Sequence, residues 1–126
     1  MASALLSRMR ASRESWYPLD DIREDLKEKA VLFRSPVYEQ LRNMTKGKSG
    51  MADTISPFIV GWKGFSESDF IPSGSSDLLE TFDREVFEEW LMDNPDVAVK
   101  IGDRLIEVAN ARFEKEKERK GNSSSA

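Results

Sequence analysis

The chain has 126 residues, enough for one domain with one modest core, and 33% of them are charged. It contains no cysteine and no histidine, so disulfide bonds, thiolate zinc sites and Ser-His-Asp or Cys-His catalysis are excluded. The formal net charge of −4 is unevenly distributed, because ten acids and a single basic residue lie between Ser66 and Asp96.

Charge and hydropathy together limit the kinds of partner that the sequence predicts. A chain with one acidic region and mildly basic flanks can associate head to tail with copies of itself, or with a basic partner. It lacks the continuous basic face that nucleic acids need, and no apolar run approaches the roughly 20 residues that span a bilayer. We therefore expect a cytoplasmic protein that binds neither nucleic acid nor membrane.

The N-terminal part predicts an arm and two helices. "MASALLSRMRASR" carries three arginines and no acid, and a flexible arm over residues 1–17 is favoured over a short transit peptide. The segment from Ile22 to Phe33 has apolar residues at helical spacing and acids near its start, which predicts a helix. A serine N-cap followed by proline at residues 35–36 predicts a second helix that runs to about Met44.

Two loops surround an apolar stretch in the middle of the chain. "TKGKSGMAD" has two glycines and no apolar rhythm, which predicts a flexible loop. "ISPFIVGWKGF" is too short and too rich in glycine for a helix, so we expect a bent extended segment near residues 55–65. "SESDFIPSGSSD" is predicted to be a second loop, which Phe70 anchors locally.

The C-terminal half contains the clearest helical signals. Asp83 is a candidate N-cap, and Phe82 and Phe87 on either side of it form a hydrophobic staple. Asn94 and Pro95 predict an elbow, because asparagine caps helices and proline fits the first helical position. The last helix carries an apolar stripe over about five turns, after which the chain becomes charged.

These elements predict a mainly α fold. Residues 18–113 are expected to form a single small helical domain of four to five helices, with a short extended segment near 55–65 and flexible termini. Residues 114–126 are expected to form a charged helical extension and a disordered Ser-rich tail.

No catalytic motif is present. "GWKG" lacks the spacing and the lysine-serine ending of a phosphate-binding loop, and Gly61 and Gly64 fit turns beside a buried tryptophan. The acids from Asp83 to Glu89 have the spacing of a solvated helix face and not of a calcium loop. A helix-turn-helix DNA reader is disfavoured because its first helix would be acidic. We expect no enzymatic activity, no catalytic, cofactor-binding or metal-binding residue, and no cofactor.

Aromatic residues exceed what a core of this size needs, and aromatic side chains are frequent at interface hot spots. The candidate surface for a partner or for self-association consists of Phe58, Trp62, Phe65, Phe70 and Trp90. For Trp62 and Trp90, burial in the core is the favoured alternative. Whether Phe58 and Phe65 stay inside the domain or face a neighbour is left open.

Residues 55–113 resemble a known family. "FIVGWKGF", a variable loop and "ETFDREVFEEWLMDNPDVAVKIGDRLIEVAN" are similar to the tail assembly chaperones of long-tailed, siphovirus-type bacteriophages. That family tends to have a hydrophobic-hydrophobic-Gly-Trp-x-Gly segment, an aromatic-capped helix, an acidic or Asn-Pro break and a last amphipathic helix. The matching positions here are Ile59, Val60, Gly61, Trp62, Gly64, Phe82, Asp83, Leu91, Pro95 and Ile101.

The resemblance implies a binding role without catalysis. Such chaperones bind the aggregation-prone tape measure protein and keep it soluble in the host cytoplasm during tail tube assembly. They are small, mostly helical, inclined to self-associate and absent from the mature virion, and the major tail protein is a further candidate partner. The alternative is a structural or connector protein of a phage particle, which would be incorporated stably.

The family also implies ribosomal frameshifting, which makes a longer form of the protein that is another candidate partner. Lys120, Gly121 and Asn122 can be encoded by AAG GGA AAC, which contains the slippery heptamer G GGA AAC. "SSSA" would then be the short unshifted ending. Codons that break the repeat at Gly121 or Asn122 would refute this hypothesis.

Overall fold

The computed structural model describes residues 3–46 and 51–124. The helices are α1 (Ala4–Ala11), α2 (Tyr38–Lys46), α3 (Met51–Ile55), α4 (Arg84–Asp93) and α5 (Pro95–Ser124). The strands are β1 (Glu14–Pro18), β2 (Ala30–Arg34) and β3 (Ile59–Lys63). Single 3₁₀ turns lie at Glu24–Leu26, Ser56–Phe58 and Glu67–Asp69. This is a mixed α/β fold that is mainly helical, so the prediction of a small helical domain is wrong.

The three strands form an antiparallel sheet in the order β1-β2-β3. In the central strand β2, Leu32 pairs with Trp16 on β1 and with Gly61 on β3, and a register irregularity separates it from Phe33. Successive side chains of a strand point to opposite faces. Val31 and Phe33 are therefore buried in the core, whereas Leu32 lies on the outer face and is partly exposed.

The helix predicted from Ile22 to Phe33 is replaced by a 3₁₀ turn and β2. Glu28 has a positive φ of 67°, which the interior of an α-helix does not permit. The apolar residues "AVLF" that follow are contiguous, and β1 and β3 lie on both sides to pair with their backbone. An apolar run this short fits a buried strand as well as a helix. It forms a strand because its backbone pairs with segments that are distant in the chain.

Other segments also take a form that their local sequence does not indicate. Residues 14–17, which the sequence assigns to the N-terminal arm, belong to β1 and pair with β2. Residues 51–53, expected in a loop, begin α3, and residues 47–50 lie outside the described part of the chain. The segment near 55–65 contains a 3₁₀ turn and then β3. The charged extension continues α5 through Ser124, and the last two residues lie outside the described ones.

The helix boundaries predicted for the C-terminal half are confirmed. α4 begins after Asp83, whose carboxylate accepts a hydrogen bond from the Val86 N–H at 3.2 Å. The rings of Phe82 and Phe87 lie 6.0 Å apart, as a hydrophobic staple requires. α5 begins at Pro95. The second predicted helix is present as α2, but its predicted start is wrong: it begins at Tyr38, and Ser35 is not its N-cap because the Ser35 N–H donates to the Arg13 carbonyl beside the sheet.

Asn94 joins α4 to α5 in a way that the sequence does not reveal. Its backbone carbonyl accepts hydrogen bonds from the first turn of α5. Its side-chain Nδ2 donates to the Trp90 carbonyl at 2.8 Å, and its Oδ1 accepts from Arg23 at 2.9 Å. Arg23 also pairs with Asp25 and Asp96, so the elbow is bound to the segment that precedes β2.

The core lies between the inner face of the sheet and the helices α3, α4 and α5. Its largest fully buried side chains are Leu19, Leu26, Val31, Phe33, Ile55, Ile59, Phe65, Phe87, Leu91, Val97, Ile101 and Leu105. Burial of these side chains removes apolar surface from water, which is the main favourable term in folding. In the described part of the chain, no helix combines the length and apolar character of a membrane span.

Candidate partner-binding groove

The five aromatic residues of the predicted surface occupy different environments. Phe58, Trp62 and Phe65 are buried, with exposed fractions of 8%, 6% and 0%. Phe70 and Trp90 are partly exposed and pack against the core. Four of the five come together in one cluster, whereas Phe58 lies in the 3₁₀ turn before β3. Of these five residues, only Phe70 and Trp90 therefore have side chains exposed enough to contact a partner.

Trp62 is the centre of the aromatic cluster. Its ring lies 5.1 Å from that of Phe82 in an edge-to-face arrangement and 5.4 Å from that of Phe70. Phe70 also stacks on Phe65 at 5.8 Å. The indole Nε1 of Trp62 donates a hydrogen bond of 2.8 Å to the Leu79 carbonyl. Trp62 therefore connects β3 to the loop that leads into α4.

This loop forms one wall of a groove. At its start the Ser66 N–H donates to Asp69 Oδ2 at 2.7 Å, and the Asp69 Oδ1 forms a salt bridge of 3.2 Å with Lys29. At its end the Leu79 N–H donates to the Phe65 carbonyl at 2.8 Å. Both ends of the loop are tied to the sheet region, which holds the aromatic wall in place.

The groove has two halves that share Phe70 and Val86. The apolar half has a volume of about 480 Å³ and is lined mainly by Trp62, Phe70, Ile71, Leu79, Phe82 and Val86. The acidic half has a volume of about 600 Å³ and is lined mainly by Asp25, Asp69, Phe70, Glu85, Val86, Glu89, Trp90 and Asp93. The two halves together form the α4 groove.

An acidic row runs along α4 beside the apolar floor. Glu85, Glu89 and Asp93 follow one another at intervals of four residues, so they lie along one face of the helix. Within the described ranges, no side chain of these three has an ion pair or a hydrogen bond. By contrast, Asp25 and Asp69 on the opposite side of the acidic half form salt bridges of 3.0 and 3.2 Å. The uncompensated charge of the acidic half therefore lies on α4, and Glu67 adds a further acid at the apolar half.

Arg23 is the basic side chain within the acidic half. Its hydrogen bond to Asp25 raises the pKa of Arg23, and the nearby charge of Asp96 acts in the same direction. The guanidinium is engaged with these two acids and with Asn94. It therefore neutralises negative charge on the opposite wall and at the elbow. The acidic row of α4 stays available to a positively charged ligand.

A second cavity of about 620 Å³ lies between β1 and α5. Burial raises the pKa of Tyr17 in its wall, and the Arg104 guanidinium lies 6.0 Å from the centre of that ring. The rest of the lining is charged apart from Pro18. This cavity therefore lacks the continuous apolar floor of the α4 groove, and the α4 groove is the better binding site.

The amino-acid sequence does not by itself indicate the acidic row or three of the apolar lining residues. Ile71, Leu79 and Val86 are separated in the chain, and folding alone brings them together. The spacing of the α4 acids is equally typical of a solvated face. The signal that could have revealed the groove is the presence of two parallel rows on α4, acids in one and Val86 with Trp90 in the other.

The arrangement is suited to binding. No group of three or more acidic side chains within the described ranges is placed to hold a metal ion. No family model, curated protein or solved structure matches the chain. Shape, charge and the resemblance over residues 55–113 are therefore the grounds for a functional proposal.

Proposed function

We propose that the chain is a non-catalytic binding protein that receives an amphipathic, positively charged helix of a partner in the α4 groove. The observation that carries the proposal is the apolar floor of Phe70, Val86 and Trp90 beside an acidic row without ion pairs. Burial of apolar side chains on this floor supplies affinity. The acidic row selects a helix with Lys or Arg beside its apolar stripe.

The resemblance over residues 55–113 supports a particular partner. We propose that the protein is a tail assembly chaperone of a long-tailed phage, and that its partner is the tape measure protein, a long helical rod with exposed apolar stripes. Trp62 and Phe82, two positions that carry the resemblance, line the groove, and Asp83 caps α4. One small groove binds weakly, but many copies along one rod bind strongly together. The chain would act in the host cytoplasm and leave before the virion is complete.

Co-expression with the long helical protein encoded beside this chain tests the proposal. The wild-type chain is expected to raise the soluble fraction of that protein and to co-purify with it. Ile71→Asp places a charge on the apolar wall, and Glu89→Lys repels a basic helix, so each is expected to lower co-purification about tenfold. Val99→Asp is the matched control, because Ile71 and Val99 are 51% and 44% exposed and Val99 lies on α5 outside the groove.

Three outcomes would contradict the proposal at different levels. If the wild-type chain neither rescues nor co-purifies with the long protein, the chaperone function is rejected. If Val99→Asp weakens binding as much as Ile71→Asp does, the α4 groove is not the site. If the chain is found in purified virions, it is a structural or connector protein of the particle instead.

A further inference from the structure

The helix α1 is an exposed, basic and amphipathic element. None of its residues is buried, and Leu5 and Met9, one turn apart, are 64% and 52% exposed. Arg8 and Arg10 lie in its last turn, and the segment from Ser3 to the end of α1 contains no acid. An apolar pair flanked by arginines on a short helix is the kind of ligand that the α4 groove is proposed to receive.

The dimensions and charges of α1 and the α4 groove also match. α1 has eight residues, which corresponds to a length of about 12 Å at 1.5 Å per residue. The acidic row from Glu85 to Asp93 covers the same rise of about 12 Å along α4. In such a contact Leu5 and Met9 would pack on Val86 and its aromatic neighbours. Arg8, which lies beside this apolar pair on the helix, would face the acidic row.

We propose that α1 of a second copy of this chain occupies the α4 groove and competes there with the partner. This inference rests on the proposed function, because it assigns a second ligand to the same groove. It makes self-association a way of keeping the apolar floor covered until a partner helix displaces α1.

The topology makes this contact intermolecular. Only two residues separate α1 from β1, and the Arg13 carbonyl accepts a hydrogen bond from the Ser35 N–H at 2.8 Å. Glu14 pairs with Arg34 at one end of the sheet, whereas the α4 groove lies near the other end, where Lys29 binds the groove wall. A five-residue strand spans roughly 13 Å, whereas the two residues between α1 and β1 span at most about 7 Å. We therefore assign the α1 that fills the groove to a second copy.

Contacts between different surfaces on two copies produce head-to-tail chains, or rings if the rotation closes. Each contact buries one short helix, so association is weak and depends on protein concentration. Its charged part is screened by salt, because the Debye length falls to about 3 Å at 1 M ionic strength. A partner with a longer amphipathic helix gains more contacts and displaces α1.

Sedimentation velocity on the full chain, over a range of concentrations at low and high salt, tests the inference. The wild-type chain is expected to form larger species at low salt that dissociate at high salt. The α1 variant R8E/R10E and the groove variant E85K/E89K should each associate at least about tenfold more weakly. The matched control is K115E/K117E, which changes the charge by the same amount on the exposed distal part of α5.

A mixture of the two variants tests most directly whether α1 of one copy binds the groove of another. R8E/R10E has an acidic α1 and an acidic groove, and E85K/E89K has a basic α1 and a basic groove, so neither associates alone. Together, each α1 meets a groove of opposite charge, and the mixture is expected to recover association. Circular dichroism of each variant confirms that it is folded before it is mixed.

Several outcomes would overturn the inference. These are a wild-type chain that stays monomeric at all concentrations, a mixture that does not associate, or a control that dissociates like the α1 variant. A monomeric wild-type chain that still binds the tape measure protein would reject this inference and leave the proposed function standing. A chain that self-associates through α1 but does not bind that protein would reject the proposed function alone.

Discussion

Gly64 occupies a backbone position that other residues can hardly adopt. Its φ is +84°, and a Cβ at this position would lie 2.1 Å from the Glu28 carbonyl oxygen. We expect Gly64→Ala to lower the free energy of unfolding by about 2–4 kcal/mol, because a left-handed conformation and a clash with backbone both oppose the methyl group. Equilibrium unfolding in urea measures this change.

The other glycine of "GWKG" provides the control. Gly61 lies within β3 at an ordinary strand conformation, and a Cβ there would meet the Leu32 side chain, at 3.3 Å from its Cβ and 3.6 Å from its Cδ2. Gly61→Ala should therefore stay within about 1 kcal/mol of the wild type, since a small side-chain adjustment is partly offset by lower backbone entropy in the unfolded chain. Equal effects at both positions would show that the account of Gly64 is wrong.

Residue-scale expectations from the sequence are thus partly correct. "GWKG" predicts turns at both glycines, and Gly64 is at a turn while Gly61 is in a strand. The buried tryptophan predicted beside them is present. The sequence does not indicate that Trp62 donates to the Leu79 carbonyl, because that contact depends on a loop of irregular backbone.

At the scale of elements, the N-cap of α4 fixes where this helix begins, and α4 forms one wall of the groove. The Asp83 carboxylate accepts the Val86 N–H, one of the donors that lack a partner within the helix. Asp83→Ala is expected to lower the free energy of unfolding by about 1 kcal/mol. Asp77→Ala, which removes an exposed acid from the preceding loop, is the control and should change it by less than about 0.5 kcal/mol. Thermal or urea unfolding of both variants measures these changes. Equal losses of unfolding free energy in the two variants would refute the capping role of Asp83.

The same scale shows why the helices were predictable and the sheet was not. Caps, staples and Asn-Pro breaks act within a few residues, so α4 and the start of α5 follow from the local sequence. Pairing in the sheet joins Trp16 to Leu32 and Leu32 to Gly61, residues that are far apart in the chain. The apolar residues of β2 are contiguous, so they fit either a helix or a buried strand, and pairing with the neighbouring strands makes the segment a strand.

At the scale of the whole molecule, charge and exposed apolar surface are separated. The acidic α4 groove lies near the turn end of the β1-β2 hairpin, and the basic helix α1 lies near the opposite end. The uneven charge of the sequence predicts this polarity in outline. It does not predict the groove, because the floor is assembled from β3, the following loop and α4.

The same polarity relates the two proposals. Both proposals assign a basic amphipathic helix to the α4 groove, that of a tape measure protein in one and α1 of a neighbouring copy in the other. Together they predict that assembly and partner binding are alternatives at one site. Raising the concentration of partner is therefore expected to dissociate the self-assembled form. The longer frameshifted form stays a prediction for the gene sequence to test.

The most direct measurement of the central claim is an NMR titration of the isotopically labelled chain with a soluble helical fragment of the tape measure protein. The three tryptophans make the readout simple, because Trp90 lines the groove while Trp16 is exposed on the outer face of the sheet. The largest shifts are expected at the Trp90 indole and at the amides of Phe70, Val86 and Glu89, with Trp16 unchanged. Shifts concentrated around Trp16, or no shifts at all, would contradict the central claim.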